Sequence, residues 1–93
     1  MPDELTRRLV QSRRYCNARL VEVKEDIARL HSEGLGLKER LETADEAAAG
    51  EIRARRRFLS RRIEELKAER TALRTELQTA TVQLSAIAGA QGE

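Results

Sequence analysis

The stretch from Leu59 to Ile87, LSRRIEELKAERTALRTELQTATVQLSAI, decides the fold. Leu59, Ile63, Leu66, Arg70, Leu73, Leu77, Ala80, Leu84 and Ile87 recur at alternating steps of four and three. Such spacing lines one face of a helix and makes the seam of a coiled coil. Neither Gly nor Pro interrupts it. Upstream, Cys16, Leu20, Val23, Ile27 and Leu30 repeat the pattern, with Leu5 and Leu9 on roughly the same face. Leu37, Leu41, Ala44 and Ala48 resume it after an interruption. Between Ala48 and Ile63 the phase slips, with Ile52 and Arg55 as the nearest seam positions.

Composition agrees with long helices. In 93 residues, aromatic residues are 2% and charged residues 37%, so a compact globular core has little to fill it. Apolar residues still reach 40%, too many for a disordered chain of net charge +2. No run of about 18 apolar residues is present, and no membrane span is expected. The start MPDELTRRL lacks the apolar centre of a signal peptide, and a single cysteine makes no internal disulfide. A cytoplasmic location is the expectation.

The interruption Ser32-Glu33-Gly34-Leu35-Gly36 reads as a turn, because glycine readily takes the left-handed conformation that ends helices. The expected architecture is all-α, a single domain over residues 1–93. It is a long antiparallel helical hairpin, or coiled coil, with Pro2 and Asp3 as the helix start. The first helix covers about residues 4–32, the turn 33–36, the second helix about 37–88, and residues 89–93 fray. Two alternatives stay open. Thr43-Ala44-Asp45-Glu46 matches a capping box and Gly50 follows, so a second break at 43–50 is possible. The heptad phase also passes through Gly34, which suits one unbroken helix in a parallel dimer.

In the hairpin reading the helices are roughly 44 Å and 78 Å long, and residues 67–88 have no partner within the chain. An apolar stripe of that length is rarely left in water. Homodimerisation through the extended second helix is therefore expected, with Leu66, Leu73, Leu77, Leu84 and Ile87 as the interface. The rival is a second protein covering the same residues.

Charge is segregated. Residues 1–19 carry net +3, residues 20–51 net −5, residues 52–74 net +6 and the remainder net −2. The sharpest feature is Arg53-Ala54-Arg55-Arg56-Arg57-Phe58-Leu59-Ser60-Arg61-Arg62. Arg53, Arg57 and Arg61 form one row facing away from the seam, flanked by Arg55, Arg56 and Arg62. Glu51 is positioned to pair with Arg55, and Arg61 with Glu65. Arg53, Arg56, Arg57, Arg61 and Arg62 are the candidates for an anionic partner. The alternative is a solvated coiled-coil face. Nucleic-acid binding here would be directed at the backbone, since only Tyr15 and Phe58 could stack on bases.

No catalytic, metal or cofactor site is expected. His31 is the single histidine and sits near the expected turn, and no CxxC or HxxxH spacing exists. Cys16 falls on the seam, where a disulfide across a dimer is conceivable. Ser60 follows Arg57 by three residues and is read as a helix surface residue. An enzyme is not expected.

A long hairpin with an acidic end resembles the coiled-coil domain of bacterial transcript-cleavage factors. The segment Phe58-Leu59-Ser60-Arg61-Arg62-Ile63-Glu64-Glu65-Leu66 is similar to their second helix. The resemblance covers about a quarter of the chain. It implies an acidic tip at Glu42, Asp45 and Glu46 that holds a metal ion or contacts RNA polymerase. The family's Gly-Asp tip does not occur in this sequence. The function expected from the residues themselves is a non-enzymatic protein–protein interaction module: a scaffold, an adaptor or a small regulatory subunit.

Overall fold

A computed structural model describes residues 3–91. Two helices, α1 (Glu4–Leu41) and α2 (Glu46–Gln91), pack as a hairpin, and no strand occurs among the described residues. The all-α hairpin is as expected; its turn lies not at 33–36 but where the alternative break at 43–50 was left open. α1 continues through Gly34 and Gly36, both with ordinary helical φ, and the chain reverses at residues 42–45.

Local hydrogen bonding explains the choice. At the end of α1, the N–H groups of Glu42, Thr43 and Ala44 donate to the carbonyls of Glu39, Arg40 and Leu41, at 3.2, 3.3 and 3.5 Å. These tighter bonds close the last turn of a helix. Asp45 then opens α2. Its carboxylate accepts from the Ala48 N–H at 2.8 Å, and its carbonyl accepts from the Ala49 N–H at 2.8 Å. The cap is therefore Asp45, not Thr43 of the expected capping box. Gly34 and Gly36 each cost about 1 kcal/mol inside a helix. Burying one leucine contributes about 1.5–3 kcal/mol, so a longer α1 that covers more of α2 offsets both glycines.

Asp3 caps α1 in the same manner, accepting from the Thr6 N–H at 2.7 Å. That bond holds its carboxyl below the usual carboxylate range. Pro2 lies outside the described residues. Residues 89–91, expected to fray, belong to α2, and residues 92–93 lie outside the described residues.

The chain divides into two units. The turn unit, Val23–Ala68, buries Val23, Ile27, Leu30 and Leu37 from α1, and Ala49, Ile52, Leu59, Ile63 and Leu66 from α2. Its seam on α2 has no phase slip. Ala49, Ile52, Arg56, Leu59, Ile63 and Leu66 keep alternating steps of three and four, with Arg56 half-buried on the seam where Arg55 was expected. Across the pair, Glu33 accepts from Arg55 at 2.6 and 3.1 Å, which links the two helices about three helical turns away from the reversal. This bond draws the Glu33 carboxyl down in pKa and replaces the expected Glu51–Arg55 pair.

The terminal unit comprises residues 1–22 and 69–93. Among its described residues only Leu9, Cys16, Leu73 and Ala80 are buried apolar groups. Polar links reinforce it. Arg19 donates to both carboxylate oxygens of Glu69 at 2.5 and 2.9 Å, and to Glu22 at 2.9 Å. Ser12 Oγ donates to Glu76 at 2.9 Å. These carboxylates raise the Arg19 pKa, Glu69 most of all. Arg70 occupies a seam step, and its Nε is buried without a hydrogen-bond partner. Cys16 is fully buried, and burial raises its thiol pKa. A thiol so enclosed is not placed to bridge to a second chain.

Candidate interaction face of the turn unit

The extended apolar arm expected of the second helix is largely covered. Leu66 is 1% exposed and Leu73 5%, so neither forms an outer interface. The reason is the displaced turn: α1 runs to Leu41, and the stripe on α2 finds its partner within the chain. Leu77, Leu84 and Ile87 are half-buried in the terminal unit.

The arginine run divides between two sides of α2. At about 100° per residue, Arg55, Phe58, Arg62 and Glu65 fall on one flank of the seam, and Arg53, Arg57, Ser60 and Glu64 on the other. On the first flank the charges are answered. Arg55 binds Glu33 and lies over the Phe58 ring, 4.9 Å from its centroid, and Arg62 pairs with Glu65 at 3.1 Å. The expected Arg61–Glu65 pair is replaced by Arg62–Glu65.

Arg53 and Arg57 on the second flank, Arg56 on the seam and Arg61 on the outer side of α2, where it also borders Phe58, Arg62 and Glu65, make no ion pair with any described residue. With Ser60 they enclose an open hollow of about 640 Å³. Arg56 and Ser60 also border a second groove of about 360 Å³ between the helices. Buried Leu30, Leu59 and Ile63 and exposed Leu35 form its apolar lining, and His31, Lys38, Lys67 and Glu64 its polar edge. Lys67 and Glu64 pair at 3.5 Å.

Gly34 opens this second groove. A Cβ built there meets nothing within 4 Å, so neither close packing nor backbone conformation demands glycine at this seam position. Sequence reasoning found the arginines but missed His31, Gly34 and Lys38 as their neighbours, because the expected turn at 33–36 took Gly34 out of the helix and put His31 and Lys38 on different helices at the reversal, away from the arginines. The available signal was the heptad phase running through Gly34.

The acidic candidates Glu42, Asp45 and Glu46 are exposed at the turn itself. Asp45 is committed to capping, while the side chains of Glu42 and Glu46 make no ion pair with any described residue. Among the described residues no group of three or more His, Cys, Asp or Glu side chains could hold a metal ion. Among the described residues no helix is long and apolar enough to cross a membrane. Comparison of the chain with protein-family models, curated proteins and solved structures finds no match, so the face is interpreted from its own geometry.

Proposed function

We propose that the chain is a non-enzymatic coiled-coil interaction module, a scaffold, adaptor or small regulatory subunit, acting in the cytoplasm, where a free thiol such as Cys16 stays reduced. The observation that carries this reading is the incomplete seam of the terminal unit. Leu77, Leu84 and Ile87 continue the heptad spacing yet are only half-buried, and Val82 beside them is 56% exposed. A helix from a second copy, or from another protein, completes such a seam by inserting side chains between them. Leu84→Asp with Ile87→Asp tests it. Sedimentation should show loss of association, while circular dichroism shows unchanged helix content. A wild-type chain that stays monomeric at tens of micromolar, and that crosslinks to no protein in extract, overturns the reading.

A second reading is an acidic-tipped hairpin that regulates RNA polymerase. The placement of the turn at residues 42–45 favours it, since Glu42, Asp45 and Glu46 then stand at the tip. Glu42→Gln, Asp45→Asn and Glu46→Gln together should remove any effect on transcription by purified polymerase without lowering the melting temperature. Asn preserves the cap, so activity and folding are read separately.

A further inference from the structure

We propose that the turn unit binds the phosphodiester backbone of a nucleic-acid duplex on the face formed by Arg53, Arg56, Arg57 and Arg61 of α2 and His31 and Lys38 of α1. This goes beyond the proposed protein–protein role and uses a different unit of the chain.

Three observations carry it. First, the face lacks answering charge. Arg55 and Arg62 are neutralised on the opposite flank, whereas the four arginines here have no acidic partner among the described residues. An exposed Arg row without carboxylates favours an outside anion, and the planar guanidinium suits bidentate contact with phosphate.

Second, the spacing is that of a repeating ligand. Arg53, Arg57 and Arg61 follow one another at about 6 Å along the helix. Lys38 and His31 add basic side chains across the second groove, on the neighbouring helix. A polyanion with charge along its whole length meets every member of such a row.

Third, no aliphatic or aromatic residue is among those that line the arginine hollow, whose walls are arginine side chains. Only Arg53, Arg56, Arg57, Ser60 and Arg61 line it, and Phe58 is turned to the other flank beneath Arg55. Protein partners are held chiefly by buried aromatic and apolar anchors. Single strands are held by stacking on aromatic rings. A duplex backbone needs neither, and its affinity comes from phosphate neutralisation and counterion release. Ser60 adds a hydroxyl donor among the arginines. The Glu64 carboxylate in the adjoining groove is occupied by Lys67.

The test is fluorescence anisotropy of the full chain with short labelled DNA duplexes, RNA duplexes and single strands, from about 50 mM to about 200 mM salt. Binding should favour a duplex over a single strand and weaken steeply with salt. Arg53→Gln, Arg57→Gln and Arg61→Gln together should weaken duplex binding at least about tenfold and reduce the salt slope by about 2 to 3. Arg62→Gln, on the paired flank, should leave both unchanged. Helix content by circular dichroism confirms that each variant is folded. The DNA and RNA arms identify which duplex geometry the face fits.

The proposal is overturned by any of three results. One is no duplex binding at the lowest salt. Another is Arg62→Gln weakening binding as much as Arg57→Gln does. The third is polyglutamate competing as well as duplex at equal charge, which would assign the face to an acidic protein.

Discussion

The two units of the hairpin solve the same packing problem with different materials. The turn unit buries nine apolar side chains, of which eight are Leu, Ile or Val. The terminal unit buries four among its described residues, and two of these are the small Cys16 and Ala80. What the terminal unit lacks in apolar volume it offsets with polar links: the Arg19 fork on Glu69 and the Ser12 bond to Glu76. In the turn unit Arg55 is tied to Glu33 and Arg62 to Glu65, while Arg53, Arg56, Arg57 and Arg61 make no ion pair with any described residue. In the terminal unit the charges are part of the fold, and the exposed remainder of the seam is apolar. One sequence period thus yields two kinds of surface.

The largest expected effect breaks this contrast at its centre. Leu66→Ala should cost about 3 kcal/mol, because a side chain 1% exposed leaves a cavity when truncated. Leu84→Ala, at a half-buried step, should cost below about 1 kcal/mol. Equal costs in urea unfolding would mean that the two seams are equally filled.

Arg70→Leu sharpens the contrast from the other side. The buried Nε of Arg70 has no partner, and such a donor costs about 1–3 kcal/mol. Leucine would continue the seam between Leu66 and Leu73, and should stabilise the chain by about 1 kcal/mol. Destabilisation would show that the guanidinium supports the terminal unit.

These two seams also mark what was legible in the sequence. The steps of four and three placed Leu59 to Ile87 on one helix face, and the structure keeps that face. Helix pairing was legible for the same reason. The turn was legible only as an alternative, the break at 43–50, because Gly34 and Gly36 were weighed as the stronger local signal. Gly34 and Gly36 permit a break, but Asp45 accepts two backbone N–H groups at the start of α2, and a longer α1 covers Leu66 and Leu73. Tertiary burial overrode local propensity. The arginine row was legible as a row. Its division into paired and unpaired flanks was not, because Glu33 reaches Arg55 from 22 residues away.

Two substitutions at the turn unit should move stability in opposite directions. Asp45→Ala removes the cap and should cost about 1 kcal/mol, with Asp45→Asn nearly neutral. Gly34→Ala should stabilise by about 0.5–1 kcal/mol, since the residue is helical and its Cβ meets open space. A destabilised Gly34→Ala would place a turn back at residues 33–36. Thermal melts of the three variants order these effects directly.

The smallest effect is a difference in pH response between the units. The Glu33 carboxyl lies below its ordinary value because Arg55 donates to it. A lowered carboxyl pKa contributes stability that is full above about pH 4.5, the unfolded value, and is lost as pH falls toward the folded one. Cys16 is shifted the other way, its thiol raised first by burial and then by Glu76. There the contribution is full below about pH 9 and is lost as pH rises toward the folded value. Acid should therefore loosen the turn unit at Glu33 and the first turn of α1 at Asp3, whose carboxyl pKa is also lowered, whereas alkali should loosen the terminal unit alone. Amide hydrogen exchange, corrected for intrinsic rates, reads both. Glu33→Gln should flatten the acid limb around residues 33 and 55, and Cys16→Ala the alkaline limb around residues 16 and 73. An acid limb unchanged by Glu33→Gln would mean that the exposed Glu33–Arg55 pair fixes register without adding measurable stability, as many surface ion pairs do.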